Sequence, residues 1–317
     1  MRPGYVLPLR WDNDADLAEL TEYLTWLAGR ADVVVVDGSP PAVFERHARR
    51  WCGLVRHVPV AADLRLRNGK VNGVLTGLRH TTADHVVIAD DDVRYDERAL
   101  ATVTELLTGA DLVLPQNYFH PLPWHARWDT GRILLNRALG HDFPGTLAVR
   151  RAALAGGYDG DVLFENLELV RTVQASGGTV HRADHVAVRR RPPTAARFWS
   201  QRVRQAYDSL AQPARLAAEL AVLPAVAGAL LTRRRTALLA GAVTVVIVAE
   251  AGRRRAGGTA VFPDGTAWWA PVWLAERGIC AWLAVAARLS RGGAYYAGGR
   301  IRVAAHSTAW LRAHRVR

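Results

Sequence analysis

The chain has 317 residues, half of them hydrophobic, with a formal net charge of +12 and a pI near 10.6. Two distant cysteines, Cys52 and Cys280, exclude a disulfide framework and a cysteine-based zinc site. The positive charge is almost all arginine, Lys70 being the only lysine, and no nucleic-acid-binding motif accompanies it. Residues 5–11 read as a strand, and 14–28 as an amphipathic helix capped by Asn13 or Asp14. A second strand, 31–36, ends at the breaker-rich turn Asp37-Gly38-Ser39-Pro40-Pro41. A helix over 42–52, a strand over 54–60 and a helix through 71–78 follow. The strand 85–89 then runs straight into Asp90-Asp91-Asp92, with a helix over 96–107 and a strand over 111–115 after it. This alternation predicts an α/β fold with a mostly parallel sheet covered on both faces. Ligands bind beyond the carboxyl ends of such strands, where Asp37 and the three acids fall.

Residues 116–141 are rich in aromatics, His and Pro, and read either as an acceptor-binding surface or as a packed lid. Residues 143–149 enter another strand, Gly156-Gly157-Tyr158-Asp159 is a turn, and 165–176 is a helix. The character changes near Gln212. Residues 216–231, 236–249 and 268–289 are apolar, but each falls short of a clean span of about 20 residues. One or two spans plus an interfacial helix are expected, the tryptophans suiting the interface belt. Arginine triplets at 233–235 and 253–255 flank the middle stretch and suit anionic headgroups. A soluble helical bundle is the alternative. Since the N-terminus lacks the apolar core of a secretory signal, the first half is expected on the cytoplasmic side.

The three consecutive acids carry the chemistry. A buried strand would not hold them in its middle, because each desolvated carboxylate needs a partner. At a strand end, Asp90 and Asp92 project to one side and suit a hard divalent cation such as Mg²⁺ or Mn²⁺, shared with a substrate's phosphates. A solvated acidic turn is the other reading.

Several motifs in order resemble the inverting family 2 glycosyltransferases of the GT-A fold, membrane-associated type, over roughly residues 3–210. Val33-Val34-Val35-Val36-Asp37-Gly38-Ser39 is similar to the family's strand ending in a nucleotide-contacting acid. Asn68-Gly69-Lys70 with Asn72 is similar to its Gly-Lys segment, and Asp90-Asp91-Asp92 to its DxD motif. Phe143-Pro144-Gly145 through Asp159 resembles the acceptor-side segment. Phe164-Glu165-Asn166-Leu167-Glu168 falls at the Glu-Asp pair, and Gln201-Arg202-Val203-Arg204-Gln205 at the Gln-x-x-Arg-Trp motif.

The resemblance implies transfer of a sugar from a nucleotide-sugar to a hydroxyl or lipid-linked acceptor with inversion. It assigns Asp92, with Asp90, to the metal, and Asp37, Lys70, Asp90, Asp91, Gln201 and Arg204 to the donor. Two positions depart from the family pattern. Asn166 replaces the usual base and cannot take a proton from a hydroxyl, which leaves Glu165, favoured, or Glu168. Gln205 replaces the tryptophan of the processive members. The expected organisation is a GT-A domain over 1–210, membrane helices over 211–290 and a basic tail over 291–317, at the cell membrane with the catalytic part cytoplasmic. Cell-envelope glycan or glycolipid synthesis is the expected role, with no nucleic-acid partner. The competing readings are a nucleotidyltransferase, which lacks its Gly-rich basic loop here, and a membrane-bound nucleotide-sugar-binding or assembly protein without a base.

Overall fold

The computed structural model describes residues 2–314. In chain order the elements are β1 (Gly4–Leu9), α1 (Leu17–Ala28), β2 (Asp32–Asp37), α2 (Pro41–Trp51), β3 (Arg56–Pro59), α3 (Gly69–His80), β4 (His85–Ala89) and β5 (Val93–Arg94). Next come α4 (Glu97–Leu106), β6 (Leu112–Phe119), α5 (Trp124–Leu139), β7 (Thr146–Arg150), α6 (Glu165–Ala175), β8 (Val180–Arg190), α7 (Ala195–Ser200) and α8 (Arg202–Tyr207). The chain ends in α9 (Pro213–Leu231), α10 (Arg235–Arg254), α11 (Ala270–Ser290), β9 (Ala294–Tyr296), β10 (Gly299–Ile301) and α12 (Thr308–Ala313).

Contacts divide the chain into two compact units, each discontinuous in sequence. The first holds residues 1–115, 144–188 and 306–317, and the second 116–143 and 189–305. An eight-stranded sheet of order β3-β2-β1-β4-β7-β6-β8-β5 organises the first unit. Strands β3, β2, β1 and β4 are mutually parallel, as the alternating pattern predicts, while β7 runs antiparallel to both β4 and β6. Successive side chains on a strand face opposite ways, and two cores follow from this. Tyr5, Leu7, Val33, Val35 and Val87 pack with Leu20, Leu24 and Leu27 of α1. Val6, Val86 and Ile88 pack with Val71 and Val74 of α3 and with Leu169 and Val173 of α6.

Helix α3 lies unusually close to β1. A Cβ on Gly77 would come within 2.3 Å of Val6 Cγ1, and Val6 is fully buried. Gly77→Ala is therefore expected to destabilise the fold by about 1–3 kcal/mol through overpacking. Denaturant unfolding of the two proteins side by side measures it.

Two sequence expectations are corrected in this unit. Helix α1 begins at Leu17, with Asp16 at its N-cap, and neither Asn13 nor Asp14 caps it. Instead Asn13 Oδ1 accepts the Ala15 amide, and the Asp14 carboxylate faces His47 and Arg46. Strand β8 is not among the predicted elements, because only Ala183, Val186 and Val188 are buried in it and Arg182, Asp184, His185 and Arg189 interrupt them.

In the second unit, residues 116–119 of the aromatic stretch 116–141 complete β6, while residues 124–139 form helix α5. Its Ile133 and Leu134 pack with Ala249 of α10, Trp273 of α11 and Phe262. A Cβ on Gly252 would meet the Leu134 carbonyl at 2.0 Å, so a residue without a side chain permits this helix crossing. All three apolar stretches form helices long and apolar enough to cross a membrane, Pro213–Leu231, Arg235–Ala260 and Thr266–Ser290, where one or two spans were expected. At 1.5 Å per residue, even the 19 residues of α9 reach about 28 Å, close to a bilayer's hydrocarbon thickness. The expected basic tail contains folded elements: a β9–β10 hairpin in the second unit, and α12 in the first.

Candidate active site

Strands β1, β2 and β4 end at a common edge, with Leu9 paired to Asp37 and Val6 to Ile88. Trp11, just past β1, ties these ends together. Its backbone N–H donates to Ser39 Oγ at 2.9 Å, and its indole N–H donates to the Asp91 carboxylate. The acids follow β4 directly, and the Asp90 amide donates to Gly145 O at 2.8 Å.

Lys70 is the second residue of α3. Asn68 caps that helix, its Oδ1 accepting the Lys70 amide at 3.1 Å and its Nδ2 donating to Val162 O at 3.1 Å. The cap fixes where Lys70 emerges. Its Nζ lies 2.6 Å from Asp90 Oδ1 and 2.9 Å from Glu165 Oε1, and 3.4 Å from Asn166 Oδ1. The side chains of Lys70, Asp90 and Glu165 are 17, 20 and 16% exposed, so a ligand can reach them while water screens them little. Burial works against the Lys70 ammonium, but Asp90 and Glu165 outweigh it and hold its pKa well above the usual lysine value. Glu165 opens α6, where a helix N-terminus favours negative charge. Asn166 turns its amide to Pro144 O at 3.0 Å and fixes the loop leading to Gly145.

Glu165 and Glu168, the two candidates for the base, meet different partners. Glu168 is fully buried and accepts the His306 amide at 2.7 Å and His306 Nδ1 at 2.9 Å. It clasps the C-terminal segment to α6 and does not join Lys70 and Asp90. Its partner lies 138 residues away, beyond any local sequence signal.

Asp37 also differs from expectation. Its side chain is fully buried. Its Oδ2 is shared by His47 Nδ1 at 2.7 Å and His57 Nε2 at 3.0 Å, and its Oδ1 accepts the Ser39 amide at 2.9 Å. Burial pushes its pKa up, yet the hydrogen bonds from His57, Ser39 and His47 bring it down to about 2.

Gln201 and Arg204 belong to the second unit. Gln201 joins α7 to α8, and the Arg204 guanidinium lies over the Tyr296 ring, 5.6 Å from its centroid. Between them sequence reasoning missed Arg202, which is buried and ion-paired to Asp129 and Glu276.

Among the described residues, two groups of three His or acidic side chains lie within metal-binding reach: Asp37, His47 and His57; and Asp159, Glu168 and His306. Asp90 and Asp92 are a different kind of donor set. They are partly exposed carboxylates on one tight turn, closed by the Val93 amide on Asp90 O at 3.1 Å. Such hard oxygens fit Mg²⁺ or Mn²⁺, which takes one or two carboxylates and leaves room for phosphate and water.

Residues 19–157 match the family model described as glycosyl transferase family 2. No curated protein matches the chain in sequence. A mannosyltransferase from Pyrobaculum calidifontis, solved in complex with GDP-Man and Mn²⁺, aligns at 20% identity over 89% of this chain and 88% of that chain, with a TM-score of 0.55. The shared architecture is therefore of the GT-A kind. Glucosyl-3-phosphoglycerate synthase from Mycobacterium tuberculosis, solved with Mn²⁺ and UDP-Glc, aligns at 18% identity over 62% of this chain and 74% of that chain. Its TM-score of 0.44 is too low to carry an argument.

Proposed function

We propose that the chain, whose residues 19–157 match the model of glycosyl transferase family 2, transfers a sugar from a nucleotide-sugar to a hydroxyl of a lipid-linked acceptor, with inversion. The observation that carries this reading is the ion-paired chain Asp90–Lys70–Glu165. It links the acidic turn that would hold the donor's diphosphate to a carboxylate able to accept the acceptor's proton. Asp92, with Asp90, would hold Mg²⁺ or Mn²⁺, which when bound supplies positive charge against the leaving diphosphate. Lys70 neutralises Asp90 and Glu165 in the absence of ligand and adds a point charge near the phosphates. Glu165 accepts the hydroxyl proton as general base. Asp91, held by Trp11, keeps the acidic turn against the β1 end. The buried Asp37 acts on the donor through the Ser39 corner that it supports, not by direct contact.

The donor class is supported by the Pyrobaculum mannosyltransferase, solved with GDP-Man and Mn²⁺. A lipid acceptor and a location at the cell membrane are supported by the three apolar helices, and the proposal places the catalytic unit on the cytoplasmic side. Cell-envelope glycan or glycolipid synthesis fits both. A second reading is a membrane-bound nucleotide-sugar binder without turnover. It draws on Asn166, whose amide is committed to the Pro144 carbonyl at the position of the family's usual base.

A thermal-shift panel of nucleoside diphosphates and nucleotide-sugars, with and without Mn²⁺, tests the donor site. A ligand that binds only the folded state must stabilise it, by about 2.7 kcal/mol at 100 times its Kd. One nucleotide is expected to give a Mn²⁺-dependent rise that Asp92→Asn abolishes. The absence of any nucleotide-dependent rise would overturn the transferase reading.

A further inference from the structure

A second constellation lies at the corner of β2, α2 and β3. Asp37 ends β2, His47 stands on α2 and His57 on β3. His57 pairs with Val35, two residues before Asp37, so His57 and Asp37 project from the same sheet face. The side chains of Asp37, His47 and His57 are 0, 0 and 6% exposed. Their three ligand atoms, Asp37 Oδ2, His47 Nδ1 and His57 Nε2, all lie within 4.8 Å of one another.

The hydrogen bonding is incomplete on the far side of His47. Its Nε2 is buried without a hydrogen-bond partner and faces Asp14 Oδ1 at 3.4 Å, which is also buried without one. If His47 Nδ1 carries the ring proton for Asp37, then Nε2 and Asp14 Oδ1 are two acceptors pointed at each other, a costly arrangement. Placing the proton on Nε2 satisfies both atoms but leaves the Nδ1 lone pair directed at a carboxylate. A second ring proton or a cation between Nδ1 and Asp37 resolves the conflict, and the second imidazole, His57, converging on the same Asp37 oxygen favours the cation. It also neutralises a buried carboxylate surrounded by two imidazoles and the Ser39 amide.

We propose that Asp37, His47 and His57 bind a transition-metal ion of the zinc class, with Asp14 as the outer carboxylate that accepts the His47 Nε2 proton. Two imidazole nitrogens and one carboxylate oxygen are a zinc donor set, with water as the fourth ligand. That set is softer than the all-oxygen Asp90–Asp92 turn, so the two sites select different metals. Metal bonds of about 2.0 Å at tetrahedral angles place ligand atoms about 3.3 Å apart. The present separations of 2.7 and 3.0 Å from Asp37 Oδ2 need to open by only a few tenths of an ångström.

The outer layer is already built. Asp37 Oδ1 is fixed by the Ser39 amide, and a carboxylate–histidine–metal triad would be completed by Asp14. Trp51 stacks on His47 with centroids 4.8 Å apart and Phe44 on His57 at 4.5 Å, which shields the site from water. A bound ion would lock the Asp37–Ser39 corner, and Ser39 in turn holds Trp11.

The test uses the full chain, stripped with a chelator and then given zinc alone or cobalt alone. About one zinc per chain should bind and raise the melting temperature, unaffected by millimolar Mg²⁺. Cobalt should give the strong visible absorption of a four-coordinate site. Asp92→Asn should retain the zinc. His57→Gln should weaken it by more than about 100-fold, and Asp14→Asn by about 10–100-fold. No zinc-induced shift, a weak octahedral cobalt spectrum, or zinc binding that Asp92→Asn abolishes or His57→Gln leaves intact would each overturn the proposal. The cobalt spectrum of the unsubstituted chain decides the matter even if His57→Gln does not fold.

Discussion

With a nucleotide-sugar and acceptor supplied, Glu165→Gln should turn over about 10²–10⁴-fold more slowly than the parent chain. The substitution is close to isosteric. A glutamine oxygen can still accept from Lys70 Nζ, now 2.9 Å from Glu165 Oε1, but an amide cannot take up a proton. In the proposed site donor binding rests mainly on the acidic turn and Lys70, so the loss should fall on kcat with the donor KM little changed. Glu168→Gln is the internal control. Glu168 spends both oxygens on the His306 amide and ring, so its substitution should lower stability and leave kcat within a few fold. A reversal, with Glu168→Gln slow and Glu165→Gln normal, would move the base to Glu168. Unchanged residual turnover in both variants would favour the non-catalytic reading.

The parallel half of the fold was legible because its signal is local. The valine-rich strands β2 and β4 and the abrupt change to acid at Asp90 can be read within ten residues. Lys70 was reached only through its resemblance to the family's Gly-Lys segment, and the capping role of Asn68 emerges from the structure. The partners of these residues were not legible, because they come from distant parts of the chain. Glu165 lies 95 residues from Lys70, and helical spacing cannot tell which of two glutamates three residues apart meets it. Asp37 was read as exposed to the nucleotide since it ends a strand. Its burial follows from His47 and His57, which are 10 and 20 residues away and are brought to it by the α2 crossover and the β2–β3 register. The same geometry draws Asp14 away from the helix it was expected to cap. Strand β8 escaped because His181-Arg182, Asp184-His185 and Arg189-Arg190 break it up, and no apolar run longer than residues 186–188 marks it.

Arg202→Met should cost the chain about 3–5 kcal/mol of stability, the largest structural effect expected of a single substitution here. Arg202 lies between the two motif residues Gln201 and Arg204, yet its surroundings are those of a buried pin. One terminal nitrogen sits 2.7 Å from Asp129 Oδ1 of α5, and its Nε sits 3.0 Å from Glu276 Oε2 of α11. Gln205 Oε1 accepts a further bond at 3.1 Å, and the guanidinium lies 4.5 Å from the Phe198 ring centroid. The side chains of Arg202, Asp129 and Glu276 are 3, 7 and 11% exposed. Methionine keeps much of the volume but strands two carboxylates in a poorly solvated place, and that penalty exceeds the value of the pair itself. Adding Asp129→Asn and Glu276→Gln to Arg202→Met should therefore recover a large part of the loss, a non-additivity that neighbouring sites in one network are expected to show. Denaturant unfolding in detergent of the single and triple variants measures it. A single-variant cost below about 1 kcal/mol, the range of solvent-screened surface pairs, would mean that water reaches the network. Arg204→Met should leave stability almost unchanged, because Arg204 is only partly buried and stacks on Tyr296. The contrast separates the residue that joins α5, α8 and α11 from its neighbour two positions on, which carries little of the packing.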